Sequence, residues 1–183
     1  GVARIVMGFG RGIPEGEPSL RFSPTHPHVQ PQFSKIEDIL ANAQSDFWAL
    51  RMEEIPDNLF FERGFNVEKR HVDEAANEKP VMRLSSTYIP DEHRIRDTVH
   101  GPGVPVLTFA PVLKYDTFPL PPLLSDLLAL GRDGMGCPVE FEFSIDLSDE
   151  AGKSSEFNIL QMRPMSAGGD HLDVVISAMD VAE

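Results

Sequence analysis

Residues 138–146, Pro-Val-Glu-Phe-Glu-Phe-Ser-Ile-Asp, alternate between apolar and polar side chains, the period of a strand with one buried face. Val139, Phe141, Phe143 and Ile145 fall on one side, and Glu140, Glu142, Ser144 and Asp146 on the other. Residues 156–164, Glu-Phe-Asn-Ile-Leu-Gln-Met-Arg-Pro, read as a second strand, and the polar, glycine-containing stretch 148–155 between them suits a hairpin loop. A hairpin symmetric about its middle sets Glu142 opposite Gln161 and Glu140 opposite Arg163. Opposite residues share a sheet face with Cβ atoms roughly 5 Å apart, so these four polar groups converge.

That combination suits a metal ion and phosphates. A carboxylate and an amide oxygen are hard donors of the kind Mg²⁺ takes beside substrate phosphates, and a guanidinium grips phosphate through paired hydrogen bonds. The alternative is an ordinary solvated sheet face on which Glu140 and Arg163 form a surface ion pair.

Pro138-Val-Glu-Phe-Glu-Phe143 followed by Ile159-Leu-Gln-Met-Arg-Pro164 resembles the end of the ATP-grasp nucleotide-binding domain of the phosphoenolpyruvate synthase and pyruvate phosphate dikinase family. Residues 107–114 and 134–140 are similar to the same family. So is the strand and turn from Val2 to Gly16, with Gly8, Gly10 and Gly16 at the family's glycines; Arg11 and Pro14 depart from its glutamate and valine. The resemblance covers residues 1–24 and 104–165. It implies Mg²⁺ held by Glu142 and Gln161, Arg163 as the catalytic group that binds and stabilises the transferring phosphate, Glu140 assisting, and Gly8 and Gly10 near the nucleotide. It also implies ATP as substrate and phosphoryl transfer to a carrier histidine. The partners would be the phosphohistidine domain and the remaining ATP-grasp lobe of the same polypeptide, so the piece alone should not turn over. The competing expectation is a non-catalytic α+β interaction or scaffold domain with a solvated acidic face.

The expected fold class is α+β: a mainly antiparallel sheet with a few covering helices, like the carboxyl-terminal lobe of an ATP-grasp domain. A partial domain spans 1–165 with a charge-rich insertion over about 53–103, and 166–183 is a linker or tail. The 183 residues suit one core. A net charge of −13 with only 16 basic residues argues against a general nucleic-acid surface, and no apolar run approaches the ~20 residues that cross a bilayer. Cys137 is the single cysteine, which excludes an internal disulfide and suits a reducing, cytoplasmic compartment.

From the amino end, residues 2–7 and 19–24 read as short strands. Ser34 is the expected N-cap of a helix carrying Ile36, Ile39, Leu40 and Ala43 on one face, with Glu37 completing a capping box. Residues 46–52 suit a strand or a helical continuation, with Trp48 expected in the core. Residues 81–89 read as a strand that 95–99 pairs with, and 104–111 as an edge strand flanked by prolines. Residues 120–130 form the clearest helix, with prolines in its first turn, Gly131 or Gly136 at its end, and a leucine stripe expected to cover the hairpin's apolar face. His26, His28 and His171 read as loop histidines.

Overall fold

A computed structural model describes residues 1–13, 16–52, 66–97, 102–147 and 154–165. Residues 148–153 of the expected hairpin loop, the first part of the charge-rich stretch and the tail with His171 lie outside these residues. The chain divides into two compact units, Gly1–Ser125 and Asp126–Glu183. All strand pairing is antiparallel and four α-helices accompany it among the described residues, so the class is α+β.

In the first unit, strand β1 (Ala3–Ile5) pairs with β2 (Leu20–Phe22), directing Ile5, Leu20 and Phe22 into the core. Helix α1 (Ile36–Asn42) differs from its expected start. Lys35 is the N-cap and makes no side-chain cap, because the Ser34 hydroxyl donates instead to the Asp38 carboxylate. No residue of α1 is buried.

Strand β3 (Asp46–Leu50) pairs with β4 (Val67–His71), which settles the strand-or-helix alternative. Alternation along β3 then turns Phe47 inward, 9% exposed, and leaves Trp48 half-buried on the opposite face, so Trp48 is not a core residue. The Gln44 side chain splices β3 to the end of β1. Its Oε1 accepts from Met7 N–H at 2.8 Å, and its Nε2 donates to the carbonyls of Met7 (3.0 Å) and Asp46 (2.8 Å).

The described part of the charge-rich stretch supplies Val72, Ala75, Val81 and Leu84 to the core. Residues 81–84 depart from the expected strand, because helix α2 (Lys79–Leu84) starts with Pro80 in its first turn and ends where β5 (Ser85–Ile89) begins. Proline fixes a helical φ and lacks an N–H that the first turn would leave unbonded anyway. Strands β6 (Arg94–Arg96) and β7 (Val104–Leu107) flank β5, giving the order β6-β5-β7 and the expected edge position for β7. Helix α3 (Ala110–Leu113) follows from Phe109, whose φ of 55° is left-handed.

A polar cluster ties the end of β6 to the chain after α3. Asp97 accepts from Ser86 Oγ (2.9 Å), Lys114 Nζ (2.6 Å) and Tyr115 OH (3.1 Å). Burial pushes the Asp97 carboxyl up, but the hydrogen bonds from Lys114 and Ser86, the Lys114 charge and the Tyr115 hydroxyl together outweigh it and hold the pKa below its ordinary 3.8. Lys114 is raised, chiefly by its hydrogen bond to Asp97. A depressed carboxyl stabilises the fold above its unfolded pKa and loses that contribution as pH falls through the folded value; a raised lysine loses its contribution only as pH climbs through its folded value, above 10.5. The pair should therefore stabilise the fold across neutral pH and fail in acid below about pH 4. With the Asp97 side chain 20% exposed, Asp97→Asn should cost about 1 kcal/mol at pH 7. Urea midpoints from pH 7 to pH 2 should show that gap closing in acid; a gap independent of pH would refute the assignment.

Helix α4 (Leu120–Met135) begins in the first unit, where Leu120 and Leu124 are buried, and finishes in the second. It ends at Gly136, whose φ of 68° is left-handed, rather than at Gly131. Gly131 is buried within the helix as the point of closest approach to the hairpin. A Cβ there would lie 2.7 Å from Val139 Cγ2 and 3.0 Å from Met162 Sδ. The helix thus meets the hairpin at its Val139 end. Farther along, Phe141, Phe143 and Ile145 are half-buried, and Phe143 stacks on Phe157 with centroids 5.2 Å apart.

Candidate functional site

The second unit is built on β8 (Val139–Asp146) paired with β9 (Glu156–Pro164). Glu142 lies opposite Gln161 and Glu140 opposite Arg163, the arrangement expected from the hairpin's symmetry. All four side chains are exposed on the polar face.

The pairing is not uniform along the ribbon. Between Asp146↔Glu156 and Phe143↔Ile159 the register runs one residue out of step with the Glu142↔Gln161 end, and a β-bulge lies at the Glu142/Phe143 step. Leu160 is the extra residue, 64% exposed. Extending the loop-end register without the bulge would set Gln161 opposite Phe141 and Arg163 opposite Val139, turning both to the apolar face. The bulge absorbs one residue and returns Gln161 and Arg163 to the acidic face, so that Met162 can pack inward. Its signal in the sequence is the adjacent pair Ile159-Leu160, where the alternation of Phe157 and Ile159 gives way to that of Met162 and Pro164. Reading the hairpin as symmetric found the pairs and missed the device that makes them.

Arg163 Nε donates to Glu140 Oε1 at 2.5 Å. With side-chain exposures of 58% and 47%, this pair stabilises the fold by less than about 1 kcal/mol. The two terminal guanidinium nitrogens of Arg163 make no bond among the described residues, leaving one edge of the fork for an incoming anion. Glu142 and Gln161 flank a concavity of about 60 Å³ whose walls also include Glu140, Phe141 and Arg163. Ligand pockets for molecules of nucleotide size run to several hundred Å³. The concavity therefore fits a cation with phosphate oxygens, and this hairpin could form only one wall around a base and ribose. The carboxylate and amide oxygens match Mg²⁺ in donor type. No cluster of three or more His, Cys, Asp or Glu side chains placed to hold a metal occurs among the described residues, so substrate oxygens or water would have to fill the remaining positions.

Gly8 and Gly10 belong to the first unit. Gly8 has φ 82° and stands where a Cβ would lie 2.5 Å from the Trp48 carbonyl oxygen, while Phe9 N–H donates to that same oxygen at 2.9 Å. Its glycine identity is explained by packing against β3. Gly10 opens a 3₁₀ turn, Gly10–Gly12, with only ordinary contact to Ile13. Arg11 lies over the Trp48 ring, 5.2 Å from its centroid, and Trp48 Nε1 donates to Glu17. His26 Nδ1 is 3.0 Å from Thr25 Oγ1.

The chain matches no protein-family model, no curated protein and no solved structure. Among the described residues, no helix is long and apolar enough to cross a membrane.

Proposed function

We propose that this chain contributes the metal- and phosphate-facing hairpin of an ATP-dependent phosphotransferase of the phosphoenolpyruvate synthase or pyruvate phosphate dikinase type. In this reading Glu142 and Gln161 hold Mg²⁺ and Arg163 neutralises the transferring phosphate of ATP. Glu140 orients Arg163 through its Nε, and a carrier histidine elsewhere in the polypeptide accepts the phosphoryl group. The observation that carries the reading is the bulge at Leu160, which brings a carboxylate, an amide and a guanidinium onto one face of a two-stranded ribbon. Phosphoryl transfer demands mainly positioning and charge neutralisation, which these side-chain types supply. The small concavity agrees with a piece that needs a second lobe and is inactive alone. The role in transfer and the partner domains come from the sequence resemblance, and the cytoplasmic setting from the single cysteine, Cys137.

A second reading, a non-catalytic interaction domain, is favoured by the Arg163–Glu140 pair, which already neutralises the one cation of this face among the described residues. Titration of Mg-ATP into the isotope-labelled chain, followed by amide shifts, separates the two. Saturable movement centred on Glu142, Gln161 and Arg163, abolished in Glu142→Gln and Arg163→Ala, supports the phosphotransferase. Silence at these positions, with the missing lobe also added in trans, supports the interaction domain. Arg163→Ala removes only an exposed pair, so loss of binding in that variant would not reflect unfolding.

A further inference from the structure

In the first unit, β1 and β2 set Arg4 directly opposite Arg21. Opposite residues share a face, and with Ala3, Ile5, Leu20 and Phe22 on the other side, both arginines point outward and are exposed. Like charges opposite one another weaken a sheet pair unless something neutralises them. Although the chain carries 29 acidic residues, neither guanidinium has an ion pair or a side-chain hydrogen bond among the described residues. The strand beneath Arg21 is firmly placed. Gln32 accepts from Arg21 N–H at 2.7 Å and donates to the Ser19 carbonyl at 3.2 Å. The amino end is also locally basic: residues 1–35 hold Arg4, Arg11, Arg21 and Lys35 against Glu15 and Glu17, in a chain whose net charge is −13.

We propose that Arg4 and Arg21 form a binding site for a phosphate-type dianion. Two guanidinium groups rising from Cβ atoms roughly 5 Å apart can each present a pair of N–H donors to one tetrahedral anion. A phosphate near neutral pH carries about 1.5 to 2 negative charges and three or more acceptor oxygens, matching two cations; a single carboxylate has one charge and suits one guanidinium edge. This site stands on the first unit alone and does not depend on the phosphotransferase reading of the hairpin.

The test uses the full chain and follows arginine side-chain Nε–Hε resonances by NMR during separate titrations with inorganic phosphate and phenyl phosphate, each compared with sodium chloride at matched ionic strength. The Arg4 and Arg21 signals should shift saturably, and Arg4→Gln and Arg21→Gln should each weaken binding about tenfold or more, the loss of charge-assisted hydrogen bonds. Both variants should melt no earlier than the parent in phosphate-free buffer, since each removes a repulsion. Tighter binding of phenyl phosphate would mark a phosphate monoester as the ligand, and tighter binding of inorganic phosphate the free ion; either sustains the site. Equal shifts with chloride, unchanged affinity in both variants, or an equal loss in Lys35→Gln, which removes one charge elsewhere, would overturn it.

Discussion

Replacing Gly8 with alanine should destabilise the first unit by about 3–6 kcal/mol, enough to unfold a marginally stable domain. Three costs combine. The left-handed φ of 82° disfavours a Cβ by roughly 1–2 kcal/mol. That Cβ would lie 2.5 Å from the Trp48 carbonyl oxygen, which is backbone and cannot rotate aside, so β3 must retreat at a cost of about 1–3 kcal/mol. The retreat then weakens the Phe9 N–H to Trp48 carbonyl hydrogen bond, about 1 kcal/mol more. Gly16→Ala is the internal control: it has the same φ of 82° and open space around the position, so it should cost only the backbone term. Thermal melts of the two variants should differ by well over 5 °C for a domain of this size. Equal melting temperatures would show that the approach to β3 is not what requires a glycine at position 8.

Leu113→Ala should cost about 3–4 kcal/mol, because the leucine side chain is completely enclosed and its removal leaves a cavity its neighbours cannot fill. Leu113 sits in α3, one turn of helix too short to stand without tertiary contacts. The loss should therefore spread to the turn carrying Lys114 and Tyr115, loosening their bonds to Asp97. Urea unfolding gives the magnitude, and hydrogen exchange gives the spread. A cost below 1 kcal/mol, or protection unchanged at residues 114–115, would contradict this placement of α3.

Much of the hairpin was legible because its information is local. Alternation from Val139 to Ile145 has a period of two whatever surrounds it, and a polar connection joins it to its partner. Glu142↔Gln161 and Glu140↔Arg163 followed from symmetry, and α4 followed from a leucine stripe behind two prolines. Residues 81–84 were misread because Val-Met-Arg-Leu suits a strand by side-chain type, whereas Pro80 and the contacts of Val81 and Leu84 favour one helical turn. Trp48 was misplaced because a lone tryptophan says nothing about which side of a strand faces the core. The neighbouring Phe47 takes that side, and Trp48 meets Arg11, Glu17 and Lys69.

Sequence alone thus determined the period and the polar and apolar faces of the hairpin strands, the limits of that hairpin and the α+β class, since these are written in the spacing of neighbouring residues. Tertiary structure alone decided which faces meet: Gly131 against Val139 and Met162, the Gln44 side chain splicing β1 to β3, and Arg4 brought opposite Arg21 across 16 intervening residues. The bulge at Leu160 belongs between the two, visible in the sequence as a broken alternation but given its consequence only by pairing. The physical reason is that a side chain's direction is fixed by backbone geometry within a residue or two, while its neighbour across a sheet or beneath a helix is chosen by closure and packing of the whole unit.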